Sequence, residues 1–161
     1  MTTYNAAWQD KRTTIVYNEN FPFAKIEFDD SQWPIYGSAT LFVGDKIFRA
    51  ELANGNNTII MHGDAEIFTA VFHPLWGNLE LRQSGQDTGY DIKGKWFKPG
   101  TRLTDADDND LVVITADMWT GKNIEISAVP DISGLMVVAT LYYHIRASAA
   151  KTTGMAAASG I

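Results

Sequence analysis

The sequence predicts a mainly β protein, a single closed antiparallel β-barrel that encloses a hydrophobic α-helix near its C-terminus. Most of the chain consists of short alternating segments separated by turn residues, which is typical of antiparallel barrels and sandwiches. The segment LMVVATLYYHI, residues 135–145, is almost uniformly apolar and contains no turn residue. A helix that is apolar on every side must be surrounded by protein.

The size and composition indicate one domain. The chain has 161 residues, of which 45% are hydrophobic and 20% charged, as in ordinary globular proteins. A domain of this length buries enough surface to fold without disulfides or a structural metal. We assign residues 1–150 to the barrel, with a central helix at about 133–150, and residues 151–161 to a flexible C-terminal tail.

Several strands are visible from strict alternation. Ala24-Lys25-Ile26-Glu27-Phe28 places apolar side chains on one face and charged ones on the other, and the segments 78–82 and 123–127 do the same. Such segments are typical of strands with one buried and one solvated face.

Turn residues predict two hairpins. Asn54-Gly55-Asn56-Asn57 lies between two apolar segments, and the acidic stretch 105–110 lies between TRLT and LVVIT. Asparagine, aspartate and glycine tolerate the backbone conformations of tight turns.

The apolar segment 135–145 has three interpretations. A membrane-spanning helix needs about 20 apolar residues, whereas this run meets His144 and Arg146 after nine, from Leu135 to Tyr143. A strand is compatible with its β-branched residues. However, no turn residue separates it from the following alanines, so a long buried helix is favoured. Asp131 or Ser133 is the expected N-cap.

Composition also restricts the function. The net charge of −6 argues against a general nucleic-acid or anionic-membrane binder, although a local basic patch remains open. The absence of cysteine excludes disulfides, thiolate catalysis and cysteine-based zinc sites. The N-terminal residues do not form a secretory signal, so a cytoplasmic location is expected, with leaderless secretion left open.

The last third of the sequence resembles a known family. The segment from Tyr90 to Ile145 is similar to LURP-one-related proteins of the tubby C-terminal-like superfamily. It carries, in order, Tyr90-Asp91-Ile92-Lys93-Gly94, the acidic turn at 105–110, Trp119, the alternating Ile124 and Ile126, and Asp131 before the apolar helix. The resemblance implies a barrel around a central helix. Distant members include phospholipid scramblases and tubby proteins, which bind phosphoinositide headgroups through basic residues.

The principal candidate site is a group of four cations, Lys93, Lys95, Lys98 and Arg102. On a strand, Lys93 and Lys95 point to the same side and can meet one phosphate group. An ordinary solvated strand face is the alternative interpretation.

A calcium site in the acidic turn has only partial support. Asp105, Asp107 and Asn109 occupy the first, third and fifth positions of a calcium loop. However, Asp110 replaces the required glycine and Ala116 replaces the required glutamate. A solvated hairpin is therefore favoured, and neither a metal nor another cofactor is expected.

The expected function is that of a non-enzymatic binding protein for lipid headgroups or another small anionic ligand. The alternative is a protein- or glycan-interaction module in defence or signalling that uses exposed aromatic residues, with Trp8 and Trp33 as candidates. An enzyme built on His62, Asp64 or Asp117 has no catalytic motif behind it. Neither a nucleic-acid partner nor a transmembrane span is expected, and the oligomeric state is left open.

Overall fold

A computed structural model describes residues 1–29, 37–54, 57–73, 75, 77–94, 100–116 and 124–158, with side chains to residue 148 except at 116. It contains twelve strands and one helix. The strands are β1 Thr2–Trp8, β2 Thr13–Asn18, β3 Phe21–Phe28, β4 Ala39–Val43, β5 Lys46–Leu52, β6 Thr58–His62, β7 Ala65–His73, β8 Asn78–Gln83, β9 Gln86–Gly94, β10 Thr101–Thr104, β11 Asp110–Ala116 and β12 Ile124–Ala128, and the helix is α1 Gly134–Ala158.

The strands form a closed antiparallel barrel in which each strand pairs with its neighbours in sequence. β1 closes the barrel by pairing with both β2 and β12. The two expected hairpins join β5 to β6 and β10 to β11. The predicted fold class is therefore confirmed. Closure leaves no free sheet edge for pairing with another chain.

Alternation along the strands separates the interior from the surface. Ala24, Ile26 and Phe28 are buried, whereas Lys25 and Glu27 between them are partly exposed. On β12, Ile124 and Ile126 are buried on either side of the exposed Glu125. The period-2 pattern in the sequence thus identifies the core-facing positions correctly.

The apolar segment is a helix inside the barrel. Every residue from Val137 to Ile145 is at most 5% exposed. Of the two expected N-caps, Ser133 has this role, because its Oγ accepts a hydrogen bond from the backbone N–H of Met136 at 3.3 Å. The helix is assigned to Ala158, beyond the expected end near residue 150. The flexibility of residues 151–161 stays a prediction. Within the described residues, no helix has the length and apolarity that a membrane crossing requires.

Because successive strands run in opposite directions, the connections between them lie alternately at the two ends of the barrel. The helix enters at one end, beside Phe23 and Val43, which lie close to Gly134. It reaches the other end near residue 146, where Arg146 contacts Thr58 at the start of β6. We call these the helix-entry end and the helix-exit end.

Candidate functional site

Lys93 and Arg102 lie side by side on the outer face of the barrel. The β9–β10 register places Arg102 directly opposite Lys93, between the buried residues Thr101 and Leu103. The sequence prediction of a shared face concerned Lys93 and Lys95. The other two predicted site residues, Lys95 and Lys98, lie outside the described residues.

Both cations are paired with carboxylates of the neighbouring hairpin. Asp108 Oδ1 lies 2.9 Å from Lys93 Nζ and 2.6 Å from Arg102 Nη2. Arg102 Nε lies 2.9 Å from Asp110 Oδ1, an ion pair without good hydrogen-bond geometry. The hydrogen bond from Lys93 and the two positive charges lower the pKa of Asp108. An anion that binds here must therefore compete with two carboxylates.

Asp105, the first of the predicted calcium ligands, has a structural role in the acidic hairpin. Asp105 Oδ1 accepts hydrogen bonds from the backbone N–H groups of Asp107 and Asn109 at 3.0 and 2.9 Å, and these bonds lower its pKa. Asp105 thereby closes the turn as an aspartate commonly does. In the part of the chain that the structure describes, no group of three histidine or acidic residues is arranged to hold a metal ion.

Two of the three residues considered for an enzyme, His62 and Asp64, belong to the described part of the chain. His62 and Asp64 are exposed at the tight β6–β7 turn, which lies at the helix-entry end. β11 finishes at Ala116 at the opposite end, and Asp117 lies outside the described residues. The His62 ring packs 4.9 Å from that of Phe48.

Trp8 is partly buried rather than displayed. Its ring stacks on that of Phe28, with the centroids 6.2 Å apart. Trp33, the second aromatic candidate, lies outside the described residues. The exposed apolar side chains at the helix-exit end include Leu52 and Leu75, which are 49% and 92% exposed.

An open groove lies beside the β1–β2 turn at the helix-exit end. It has a volume of about 460 Å³ and is lined by Asp10, Lys11, Arg12, Thr13 and Glu27. Arg12 is 3.7 Å from Glu27, and Asp10 accepts a hydrogen bond from the Arg12 backbone N–H. The groove therefore offers charges of both signs.

The two ends of the barrel differ in charge. The turns at the helix-entry end contain only acidic charged residues, Glu19, Asp45, Asp64, Asp105, Asp107, Asp108 and Asp131, and no lysine or arginine. The described connections at the helix-exit end carry two bases, Lys11 and Arg12, and two acids, Asp10 and Asp29. The negative charge is thus concentrated at one end.

A group of buried polar residues, of which sequence reasoning missed Tyr142 and Arg146, connects the helix to the barrel wall near the helix-exit end. The Tyr142 hydroxyl donates to the Gly37 carbonyl at 2.8 Å, and His144 Nδ1 lies 2.9 Å from Thr101 Oγ1. Arg146 donates to Thr58 Oγ1 at 3.0 Å. Burial raises the pKa of Tyr142 to about 12. The available signal was the interruption of an apolar helix by Tyr, His and Arg.

Comparisons with known proteins identify the fold. No family model matches the sequence, and no curated protein matches it either. The structure is similar to the X-ray structure of the Arabidopsis thaliana protein AT5G01750, a LURP-one-related protein. The TM-score is 0.63 and the identity 10%, over 89% of this chain and 90% of that chain. At this identity the similarity establishes the barrel architecture.

Proposed function

We propose that this chain is a LURP-one-related protein of the tubby-like superfamily, with a binding rather than a catalytic role. Two independent features support the proposal. The fold is similar to a LURP-one-related structure over most of both chains. The sequence between Tyr90 and Asp131 also carries the motifs of that family in order. A cytoplasmic location belongs to the same proposal.

The proposed ligand is anionic, a lipid headgroup or another small phosphate-bearing molecule. The observation that carries this proposal is the charge difference between the two ends of the barrel. Seven acidic residues and no base lie in the turns at the helix-entry end. A negatively charged surface therefore repels that end and favours approach by the opposite one.

The proposed contact residues are Lys93, Lys95, Lys98 and Arg102. They bracket the β9–β10 connection, which leaves β9 and enters β10 at the helix-exit end. Lys93 and Arg102 are held side by side by the strand register and are partly neutralised by Asp108 and Asp110. A phosphate group replaces these carboxylates as the partner of the two cations.

Co-sedimentation with vesicles tests this proposal. Vesicles of phosphatidylcholine with and without a phosphoinositide are compared at low and high salt, because contacts between exposed charges are screened by salt. We expect Lys93→Ala/Arg102→Ala and Lys95→Ala/Lys98→Ala to weaken binding. The matched control, Lys25→Ala/Lys46→Ala, removes the same charge elsewhere. Equal losses in all three variants, or no binding by the unmodified protein, would refute the proposal.

Removing the competing carboxylates gives a prediction of opposite sign. Asp108→Asn/Asp110→Asn frees Lys93 and Arg102 from their ion pairs, so binding to phosphoinositide vesicles is expected to increase about tenfold, the effect of 1.4 kcal/mol. The control Asp45→Asn/Asp64→Asn makes the same change in net charge at the helix-entry turns. An equal increase in this control would mean that only net charge matters.

Leu75 favours the second candidate function, a protein- or glycan-interaction module. It is 92% exposed in the β7–β8 turn, and a partner that covered this side chain would gain the free energy of burying its apolar surface. A glycan array and a pull-down with Leu75→Ser as the comparison test this alternative. No binding on the glycan array and no partner in the pull-down, or capture that Leu75→Ser leaves unchanged, would contradict this second function.

A further inference from the structure

Tyr143 carries a buried hydroxyl that makes no hydrogen bond of acceptable geometry with the described residues. The side chain is 2% exposed and lies inside the barrel on α1. Its hydroxyl faces Thr58 on β6, and burial raises its pKa far above the ordinary value. The group therefore keeps its proton and is a donor. Native proteins leave very few such groups without a partner.

Arg146 brings a positive charge to the same place. It follows Tyr143 by three residues and thus lies on the same side of the helix. Its Nη1 donates to Thr58 Oγ1 at 3.0 Å, the oxygen that Tyr143 also faces.

The chemistry of these groups indicates what they recognise. A tyrosine hydroxyl and a guanidinium offer N–H and O–H donors, and a guanidinium matches the geometry of carboxylate and phosphate oxygens. Charge-assisted hydrogen bonds in a dry environment are stronger than those at the surface. An anionic oxygen between the two side chains satisfies the unpaired hydroxyl and is held by the arginine.

We propose that Thr58, Tyr143 and Arg146 form an internal oxyanion site at the helix-exit end of the barrel, which takes a carboxylate or phosphate group. This site goes beyond the proposed function, because it lies inside the barrel and uses none of the outer cations Lys93, Lys95, Lys98 and Arg102. The anion enters at the end where the helix leaves the barrel. It is either a free small molecule or the headgroup of a lipid.

The stability of Tyr143→Phe separates this proposal from a purely structural role. Removing an unsatisfied buried hydroxyl stabilises a protein, whereas removing a satisfied one destabilises it. We expect Tyr143→Phe to raise the Tm of the anion-free protein. Tyr142→Phe is the matched control, because its hydroxyl donates a good hydrogen bond to Gly37, and we expect it to lower the Tm.

Anion binding is measured on the same proteins. Calorimetric titration and thermal shift with inorganic phosphate, and separately with acetate, test the free-ligand source, and vesicles containing phosphatidic acid test the lipid source. Tyr143→Phe and Arg146→Gln are expected to weaken binding at least tenfold, whereas Tyr142→Phe retains it. Binding of phosphate or acetate without vesicles supports the free source, and binding of vesicles alone supports the headgroup.

Three results overturn the proposal, and the third concerns vesicle binding. One is a Tm for Tyr143→Phe that falls as far as that of Tyr142→Phe, with anion responses unchanged in both. Another is the absence of any Tm shift or heat with phosphate, acetate or vesicles. Should Arg146→Gln fail to fold, Arg146→Lys retains the charge and gives the same comparison. Vesicle binding that is lost in Lys93→Ala/Arg102→Ala but kept in Tyr143→Phe supports the outer surface and contradicts the internal site.

Discussion

At the scale of single residues, the ion pair between Asp29 and Arg49 makes stability depend on pH. Arg49 donates to both carboxylate oxygens of Asp29, at 2.7 and 2.8 Å, and these bonds, followed by the arginine charge, lower the pKa of Asp29 from its ordinary 3.8. A carboxylate whose pKa is lower in the folded state stabilises the protein above the unfolded-state pKa. That contribution is lost as the pH falls through the folded-state value.

We therefore expect Asp29→Asn to reduce the free energy of unfolding at neutral pH, by about 0.5–1 kcal/mol because the pair is largely exposed. Below the folded-state pKa, which lies under 3.8, the variant and the unmodified protein should converge, since the carboxylate is then protonated in both states of the latter. Urea denaturation at both pH values measures the difference. The control Asp64→Asn removes an exposed carboxylate that has no ion pair among the described residues. The difference in free energy of unfolding between this control and the unmodified protein should not change between the two pH values.

Ser133 offers a second test at this scale. Its hydroxyl oxygen caps the first turn of α1 by accepting from the Met136 N–H. Ser133→Ala should lower the free energy of unfolding by about 1 kcal/mol, whereas Asp131→Ala, which removes the other expected cap, should change it by much less. Equal losses in thermal unfolding would show that Asp131 shares the capping.

Residue-scale details were only partly predictable. The sequence indicated a local group of cations, but the adjacency of Lys93 and Arg102 depends on the register between β9 and β10. Their pairing with Asp108 was not predicted, because it depends on how the β10–β11 hairpin folds back, and a β-bulge between Leu103 and Thr104 shifts that register. No local pattern specifies such a shift.

At the scale of elements, the helix is the part of the barrel that tolerates charge least. Val138 and Leu141 are fully buried, so an unpaired aspartate at either position costs several kcal/mol. That cost is comparable with a total stability of about 5–15 kcal/mol. Val138→Asp and Leu141→Asp should therefore abolish cooperative unfolding, followed by circular dichroism and tryptophan fluorescence.

Ile47→Asp is the matched control for these helix variants, because Ile47 is 55% exposed on the outer face of β5. It should retain a cooperative transition close to that of the unmodified protein. A folded Leu141→Asp variant would contradict the enclosed position of the helix.

Elements were the most predictable level. Alternation located the inward residues of β3 and β12, and the apolar run located α1 without any knowledge of its neighbours. The sequence does not specify the end of the helix, because the alanine-rich residues after 150 have helical propensity but no apolar pattern that separates helix from coil.

At the scale of the whole molecule, the residues after 151 should be dispensable. Described side chains of α1 contact the barrel wall as far as Arg146. Deleting residues 152–161 is therefore expected to change the Tm by no more than a few degrees. Deleting residues 135–161 removes the interior packing of the barrel and should prevent folding. A large loss of stability from the shorter deletion would show that the C-terminal residues pack on the barrel.

The order of the barrel along the chain has a consequence for biosynthesis. All twelve strands are synthesised before α1, the helix that fills the interior of the barrel. The barrel cannot close until β12 is available to pair with β1. Domains that acquire their core only from late-emerging sequence expose apolar surface while translation continues. The nascent chain thus depends on protection by chaperones, or on rapid translation through the last strands, until α1 has emerged.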